Sequence, residues 1–322
     1  MKPLLTRRQS LLLGGSALSL FCCCPPGRAE PHRYELTPRK LTDGVWVTRG
    51  SDEAINERNG GAIANVAILD SSEGAILIDT GPSRRFGEAL MTLAKELTGK
   101  PVARVYLTHF HPDHMFGNQA FDPAKLAATK GTIDGMKEYG NAFSDSMYRA
   151  AGDWMRGTEL VLPQAIVEGA PEDIGNRRLR PLLMRGHTPS DLALFDEKTG
   201  ILFAGDLVFL DRAPTTPHAD IERWRMSLAN LSAIPSTMIV PGHGPVESSV
   251  RGVEQTSRWL ETISHMIGDA FERGLDISEA ITLPLPDWTK SIALARYEYE
   301  RSVMHLYPQF EAARWPRIDE RG

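Results

Sequence analysis

The side chains best suited to chemistry lie in one short segment, which reads THFHPDH from Thr108 to His114. Its last six residues hold three histidines and one aspartate. Neutral imidazole nitrogens and carboxylate oxygens are ligands that zinc takes in proteins. Donors so close in sequence converge on a small volume only where the backbone turns. We therefore predict a metal-binding loop in this segment.

The loop requires a strand before it and a helix after it. Val102 to Leu107 is a short, mostly apolar run that is typical of a buried strand, and helix-compatible residues follow Pro112. Three further donors each follow another strand-like run: His187 in RGHTPSD, Asp206 in FAGDLVF and His243 in VPGHGPV. The seven candidate metal ligands are therefore His109, His111, Asp113, His114, His187, Asp206 and His243.

Seven donors are suited to two metal ions. Each ion would take three ligands of its own, share one carboxylate and keep an open position, which is typical of a catalytic site. Asp206 has an alternative role, since an aspartate after Ala204-Gly205 can also cap a turn. The other four histidines have no supporting partner in sequence, and we predict that they are not ligands: His32, His218, His265 and His305.

The order of these donors resembles that of the metallo-β-lactamase superfamily, in the dinuclear pattern of its glyoxalase II-like members. The pattern is HxHxDH followed by His, Asp and His, and the resemblance covers Val45 to Val246. It implies a four-layer αββα sandwich that binds two Zn²⁺ ions, with iron or manganese as alternatives. It also implies that Asp206 bridges a first site of His109, His111 and His187 and a second site of Asp113, His114 and His243.

The same resemblance implies a mechanism. A hydroxide between the metals would attack an ester, thioester or lactam-type carbonyl of a small molecule. Asp113 or Asp206 would orient the water or pass on its proton, which makes both candidate catalytic residues. Asp79 and Thr188 are candidates for hydrogen bonds to the ligands, although each is equally compatible with turn chemistry.

Three further strings have a narrower resemblance: NGGAIAN at Asn59 to Asn65, HMFGN at His114 to Asn118, and Phe209 to Trp224. They resemble the exported zinc metallohydrolases of the sulfur-oxidation type and of quinoprotein relay systems. The resemblance makes a protein of a periplasmic redox system a candidate partner. Two alternatives stay open, namely a mononuclear iron enzyme similar to persulfide dioxygenases and a non-catalytic metal-binding accessory protein of a periplasmic quinoprotein dehydrogenase system.

Residues 1–29 are typical of an export signal. A basic start with Arg7-Arg8 precedes an apolar stretch from Leu11 to Cys24, and small residues lead to a cleavage site after Ala29. The string TRRQSL resembles a twin-arginine signal, and an ordinary secretory signal is the alternative. We therefore predict a periplasmic protein. All three cysteines lie in this segment, so the mature chain would have no thiolate ligand. The first group of true metallo-β-lactamases places a cysteine on the second zinc, where this sequence has Asp206, so the resemblance implies that antibiotic hydrolysis is not the native reaction.

Composition limits the partners. The 322 residues are 42% hydrophobic and 24% charged, as in ordinary globular proteins. Their formal net charge of −5 becomes more negative when the four basic residues of the signal are removed. Nucleic acid is therefore not an expected partner, and Arg177-Arg178 is predicted to be solvated. No apolar stretch after residue 24 is long enough for a transmembrane helix.

The elements around the donors follow from hydrophobic periodicity. Residues 30–250 are predicted to form the catalytic domain, and residues 251–322 a helical extension packed on it, helical throughout from 251 to 313. Loops 51–62 and 211–220 are predicted to rim the metals. Aromatic and methionine residues at near-helical spacing between 136 and 154 are interpreted as core. The predicted strands cover 44–47, 64–69, 75–78, 102–107, 179–184, 191–196, 201–204 and 238–240, and the predicted helices cover 83–98 and 221–232.

Overall fold

The computed structural model describes residues 32–314. The predicted export signal lies outside these residues. From Arg33 onward, the described chain forms one compact unit.

The first sheet has seven strands in sequential order. The first four strands pair antiparallel, and the remaining pairings are parallel. The strands are β1 (Pro38–Thr42), β2 (Val45–Thr48), β3 (Val66–Asp70), β4 (Ala75–Ile78), β5 (Val102–Tyr106), β6 (Leu126–Ala128) and β7 (Ala165–Ile166). The helices of this half are α1 (Arg84–Thr98), α2 (Pro112–Met115) and α3 (Lys130–Ala151).

The second sheet has five strands in the order β12-β11-β10-β9-β8. Only the pairing of β11 with β12 is parallel. The strands are β8 (Glu172–Ile174), β9 (Arg177–Met184), β10 (Asp191–Asp196), β11 (Ile201–Phe209) and β12 (Met238–His243). The helices are α4 (Ile221–Ser232), α5 (Arg251–Glu272), α6 (Ile277–Thr282) and α7 (Ala295–Arg314).

Three buried clusters hold these layers together. One lies between the sheets and joins Ile76 of β4 to Phe203 of β11. A second joins the outer face of the first sheet to α1 through Phe86 and Leu90. The third packs the outer face of the second sheet against α4, α5 and α7, with Trp224 and Trp259 fully buried. Helices therefore cover both outer faces, and the predicted four-layer αββα sandwich with C-terminal helices is confirmed.

Local sequence accounts for the helix boundaries. Ser83 accepts a hydrogen bond from the backbone N–H of Phe86 and begins α1, which ends at Gly99 in the left-handed region with φ of 70°. The prediction of continuous helix from 251 to 313 is wrong, because the chain breaks after α5 and again after α6. Gly274 has φ of 71° in the first break, and Pro284 and Pro286 lie in the second, where proline cannot donate a helical hydrogen bond.

Arg177 also differs from its prediction. Its side chain is 1% exposed and forms an ion pair with Asp196, and it donates to the carbonyl oxygens of Gly44 and Asp70. It therefore ties β9 and β10 to the turns of the first sheet, whereas Arg178 is half exposed as expected. Within the described residues, no helix combines the length and apolar character needed to cross a membrane.

Candidate metal centre

The candidate ligands lie where strands of both sheets end. His109 and His111 follow β5, and Asp113 and His114 lie in α2, whose first residue is Pro112. His243 is the last residue of β12, but Asp206 lies inside β11, which continues three residues beyond it. Gly205 has φ of 52°, and the pairing with β12 shifts register around it. This irregularity turns the Asp206 carboxylate towards the loop after β5 without ending the strand.

The seven predicted donors come together in two buried groups. In each group, the ligand atoms lie within 4.8 Å of one another; the groups are His109, His111, His187 and Asp206, and Asp113, His114 and His243. Asp206 reaches both groups, because its Oδ2 lies 3.3 Å from His187 Nε2 and its Oδ1 lies 3.1 Å from His114 Nε2. Asp113 Oδ2 lies 3.3 Å from His243 Nε2.

Asp79 holds the outer side of this cluster. His114 Nδ1 donates to Asp79 Oδ2 at 2.7 Å, and the backbone N–H of Thr108 donates to Oδ1 at 2.8 Å. The Thr108 hydroxyl also donates to Asp79 and lies 3.0 Å from His109 Nδ1. Since the Nδ1 atoms of His109 and His114 are thereby occupied, their Nε2 lone pairs point inwards.

His243 is fixed in the same way from the other sheet. Its Nδ1 donates to the carbonyl oxygen of Ile63 at 2.9 Å. Asn65, the last residue of the NGGAIAN string, donates to the carbonyl oxygens of Pro241 and Gly244 at 2.8 and 2.9 Å. These bonds tie the loop before β3 to the end of β12 and leave His243 Nε2 free to face the cluster.

His111 is held differently, through a residue that was not assigned from sequence. Its Nδ1 lies 2.8 Å from His187 Nε2, and its Nε2 lies 2.9 Å from His218 Nδ1. His218 therefore contacts a candidate ligand on the side away from the cluster. Its only signal in the sequence is its position in loop 211–220.

Thr188 contacts Asp191 rather than a ligand side chain. Its hydroxyl donates to Asp191 Oδ1 at 2.6 Å, and the backbone N–H of His187 donates to Oδ2 at 3.1 Å. Burial raises the pKa of Asp191 to about 7, although the hydrogen bonds from Thr188 and His187 act to lower it. Asp191 and Thr188 thus shape the backbone turn that carries His187.

The cluster is suited to metal ions because several of its buried nitrogen and oxygen atoms lack hydrogen bonds. His109 Nε2, His114 Nε2 and Asp206 Oδ1 are buried, and none of them has hydrogen-bond geometry with a residue between 32 and 314, although His114 Nε2 and Asp206 Oδ1 face each other at 3.1 Å. Buried polar atoms without partners are rare in folded proteins, and a bound ion is one of their common explanations. The three atoms are also zinc donor types.

The charges of the cluster lead to the same conclusion. Burial lowers the pKa of His187 to about 4 and that of His111 well below its usual value, so these rings are neutral, as metal ligands must be. Burial also disfavours charged His114, yet Asp206 and Asp113 raise its pKa well above the usual value. The carboxylates therefore stabilise positive charge in the cluster, and bound cations would supply that charge.

A cavity of about 370 Å³ borders the candidate metal centre. Its walls come from the two predicted loops, from α3 and from α7. Not every residue of loop 51–62 faces the metal centre, since Arg58 and Asn59 line a different cavity. The residues that line this cavity include Ala54, Ile55, His111, Asp113, Phe143, Met147, Asp206, Arg212, Thr215, His218, His243, Tyr297, Glu298, Arg301 and His305.

A family model described as the metallo-beta-lactamase superfamily matches residues 59–243, more than half of the chain. The chain belongs to the metallo-β-lactamase superfamily. This superfamily member is 22% identical to a linear primary-alkylsulfatase of Pseudomonas sp. (strain ATCC 19151), over 75% of the chain and 54% of that protein. It therefore spans about half the length of the alkylsulfatase.

Two further comparisons agree. An acyl-coenzyme A thioesterase of Homo sapiens is 27% identical over 53% of this chain and 66% of the thioesterase. A solved metallo-beta-lactamase from Pontibacter korlensis has a TM-score of 0.57 at 22% identity, and the match covers 70% of this chain and 99% of that one. At this identity, the solved structure supports the fold alone.

The family match confirms membership of the metallo-β-lactamase superfamily, and relatives are named as an alkylsulfatase, a thioesterase and a metallo-β-lactamase; hydrolysis by this chain stays a prediction. The clustered histidines and aspartates are suited to metal ions. Zinc as the metal, the quinoprotein relay resemblance and a periplasmic redox partner stay predictions.

Two contributions to the superfamily member's site were not found in the sequence. Phe143 and Met147 of the aromatic and methionine stripe belong to or pack against a buried hydrophobic cluster, as predicted, but they also line the cavity. Helix α7 supplies Glu298, Arg301 and His305, but it lies more than fifty residues beyond His243. No spacing rule connects a distant helix to a metal loop, so only the packing of α7 shows this.

Proposed function

We propose that this chain is a dinuclear zinc hydrolase that cleaves an ester or thioester bond of a small molecule. The observation that carries the proposal is the convergence of all seven donors in one buried cluster beside a cavity of about 370 Å³. A complete second group of donors argues against the mononuclear iron alternative, which needs the first group only.

The residues divide between two ions as their positions suggest. His109, His111 and His187 would hold the first ion, and Asp113, His114 and His243 would hold the second. Asp206 would bridge them, because its two oxygens face donors of both groups. Two such ions would lower the pKa of water towards neutrality and polarise the bond to be cleaved.

Residues around the metal centre would accept a proton and exclude water from the substrate. Asp113 is the better placed of the two aspartates to accept a proton, since its side chain is 9% exposed and that of Asp206 is 2% exposed. Ile55, Phe143 and Met147 line the cavity and would exclude water from the apolar part of a substrate.

The names of relatives support the bond type. One relative is named as a thioesterase and another as an alkylsulfatase, and both names describe hydrolysis of an ester-like bond. A carbonyl ester or thioester is therefore the first choice for this chain. A sulfate ester and a lactam belong in the same screen.

Export to the periplasm is part of the proposal and rests on the sequence of residues 1–29. Fractionation of cells that make the full chain, with N-terminal sequencing of the mature protein, would test it. Cleavage after Ala29 would support export. A variant with Arg7-Arg8 changed to lysines should accumulate uncleaved if the twin-arginine route is used.

The decisive experiment is metal analysis of the purified protein by mass spectrometry, beside an Asp206→Ala variant and a panel of ester, thioester, sulfate ester and lactam substrates. We expect about two zinc ions per chain, one of them lost in the variant, together with a large loss of turnover. One iron, unaffected by the variant, would support the persulfide dioxygenase alternative. Two metals without any turnover would support a metal-binding accessory protein.

A further inference from the structure

The cavity contains a second group of charged side chains that do not belong to the metal donors. Arg212, in the loop after β11, is buried, and its Nη2 lies 3.5 Å from Oε1 of Glu298 in α7. Glu298 is fully buried and also accepts a hydrogen bond from Arg301 at 3.1 Å. Two guanidinium groups thus share one carboxylate, and the group retains a positive charge.

Two buried donors in this region have no partner among residues 32–314. They are the Nε–H of Arg212 and the hydroxyl of Thr215, and both residues line the cavity. A buried donor without a hydrogen bond is unfavourable, so native proteins seldom retain one unless a ligand or water satisfies it. The Arg212 side chain is held in place, because its Nη1 donates to the carbonyl oxygen of Ala213 at 3.2 Å.

Phe209 connects this group to the metal centre. The His243 ring stacks on Phe209 with centroids 5.0 Å apart, and the guanidinium carbon of Arg212 lies 5.7 Å from the Phe209 centroid. Arg212 is therefore separated from a candidate metal ligand by a single aromatic ring. One small molecule can reach both, and Ile55 and Phe143 line the same cavity for its apolar part.

We propose that Arg212 and Thr215 bind an oxyanion of the substrate, such as a carboxylate, while the bond to be cleaved lies at the metal centre. This inference rests on the proposed function and specifies its substrate class, an anionic small molecule with an apolar part. Guanidinium groups are well suited to carboxylates. Arg301 has a supporting role, since it balances Glu298 and leaves the charge of Arg212 for the substrate.

Calorimetric binding of two amides that resist hydrolysis would test this. The probes are succinanilic acid, which carries a carboxylate, and its neutral methylamide. The metal-loaded wild type should bind the acid about tenfold more tightly than the amide, and Arg212→Gln should lose most of this preference. Thr215→Val should reduce the preference about threefold, and Arg212→Lys should retain part of it.

Zinc also binds carboxylates, so the variants are compared at equal zinc content. Equal binding of both probes by the wild type would overturn the inference. So would an unchanged preference in Arg212→Gln and Thr215→Val, because the metals alone would then explain it. If Arg212→Gln does not fold, Thr215→Val and Arg212→Lys decide. If the protein prefers the acid but cleaves no ester, the oxyanion site is upheld and the proposed function is rejected. If the protein cleaves esters but shows no preference for the acid, the proposed function is upheld and the oxyanion site is rejected.

Discussion

Asp79→Asn tests how the metal centre is held in place. Asp79 is buried and has φ of 63°, a left-handed conformation that asparagine tolerates as well as aspartate does. The substitution therefore keeps the backbone and the side-chain shape. It removes the carboxylate that accepts from His114 Nδ1 and from the N–H and hydroxyl of Thr108.

The magnitude follows from these bonds. An asparagine has only one acceptor oxygen, so its NH₂ must face either His114 or Thr108, both of which donate to Asp79 in the wild type. One hydrogen bond to a charged group is lost, which costs about 1.5–3 kcal/mol. Partners behind a metal ligand typically change metal affinity by about 10–100-fold, which corresponds to about 1.4–2.7 kcal/mol. We expect a loss of this size at the second ion, which His114 would hold.

Competition with a chromophoric zinc chelator would measure both zinc affinities. Asp196→Asn is the matched control, because Asp196 is equally buried but forms an ion pair with Arg177 and belongs to neither donor group. The control should lower the free energy of unfolding and leave both zinc affinities unchanged. If Asp79→Asn bound two zinc ions as tightly as the wild type, Asp79 would not orient His114 for metal binding.

Two other predictions concern the same centre. His218→Ala should lower the zinc affinity of the first site by about tenfold, since His218 Nδ1 faces His111 Nε2 at 2.9 Å. Chelator competition would measure this affinity. The control is His305→Ala, which changes an exposed residue of the same cavity and should leave the zinc affinity unchanged. Zinc affinity should fall as pH falls from about 8 to about 6, because the histidine rings must be deprotonated to bind zinc. The pKa values of His114 and His243 are raised by Asp206 and its neighbours, against the effect of burial, so these two rings take up protons most readily. Zinc binding should therefore release protons, and calorimetry in buffers of different ionisation enthalpy would count them. If no protons were released, this reasoning would be wrong.

Much of the fold could be predicted from local patterns. Helix α4 matches its predicted bounds of 221–232, and α1 differs by one residue, because capping residues and amphipathic spacing are properties of neighbouring residues. The extension of β11 through Asp206 was not predictable. Its register depends on pairing with β12, more than thirty residues further along the chain.

The sequence by itself determined the type and number of the candidate metal ligands, because histidine and aspartate at these strand ends have few other uses in such a pattern. Only the tertiary structure decided what surrounds them. His218 lies against His111, Arg177 is buried in an ion pair with Asp196, and α7 brings Glu298 to the cavity. These contacts join residues distant in sequence, and each depends on how the sheets and helices pack, which no local spacing encodes.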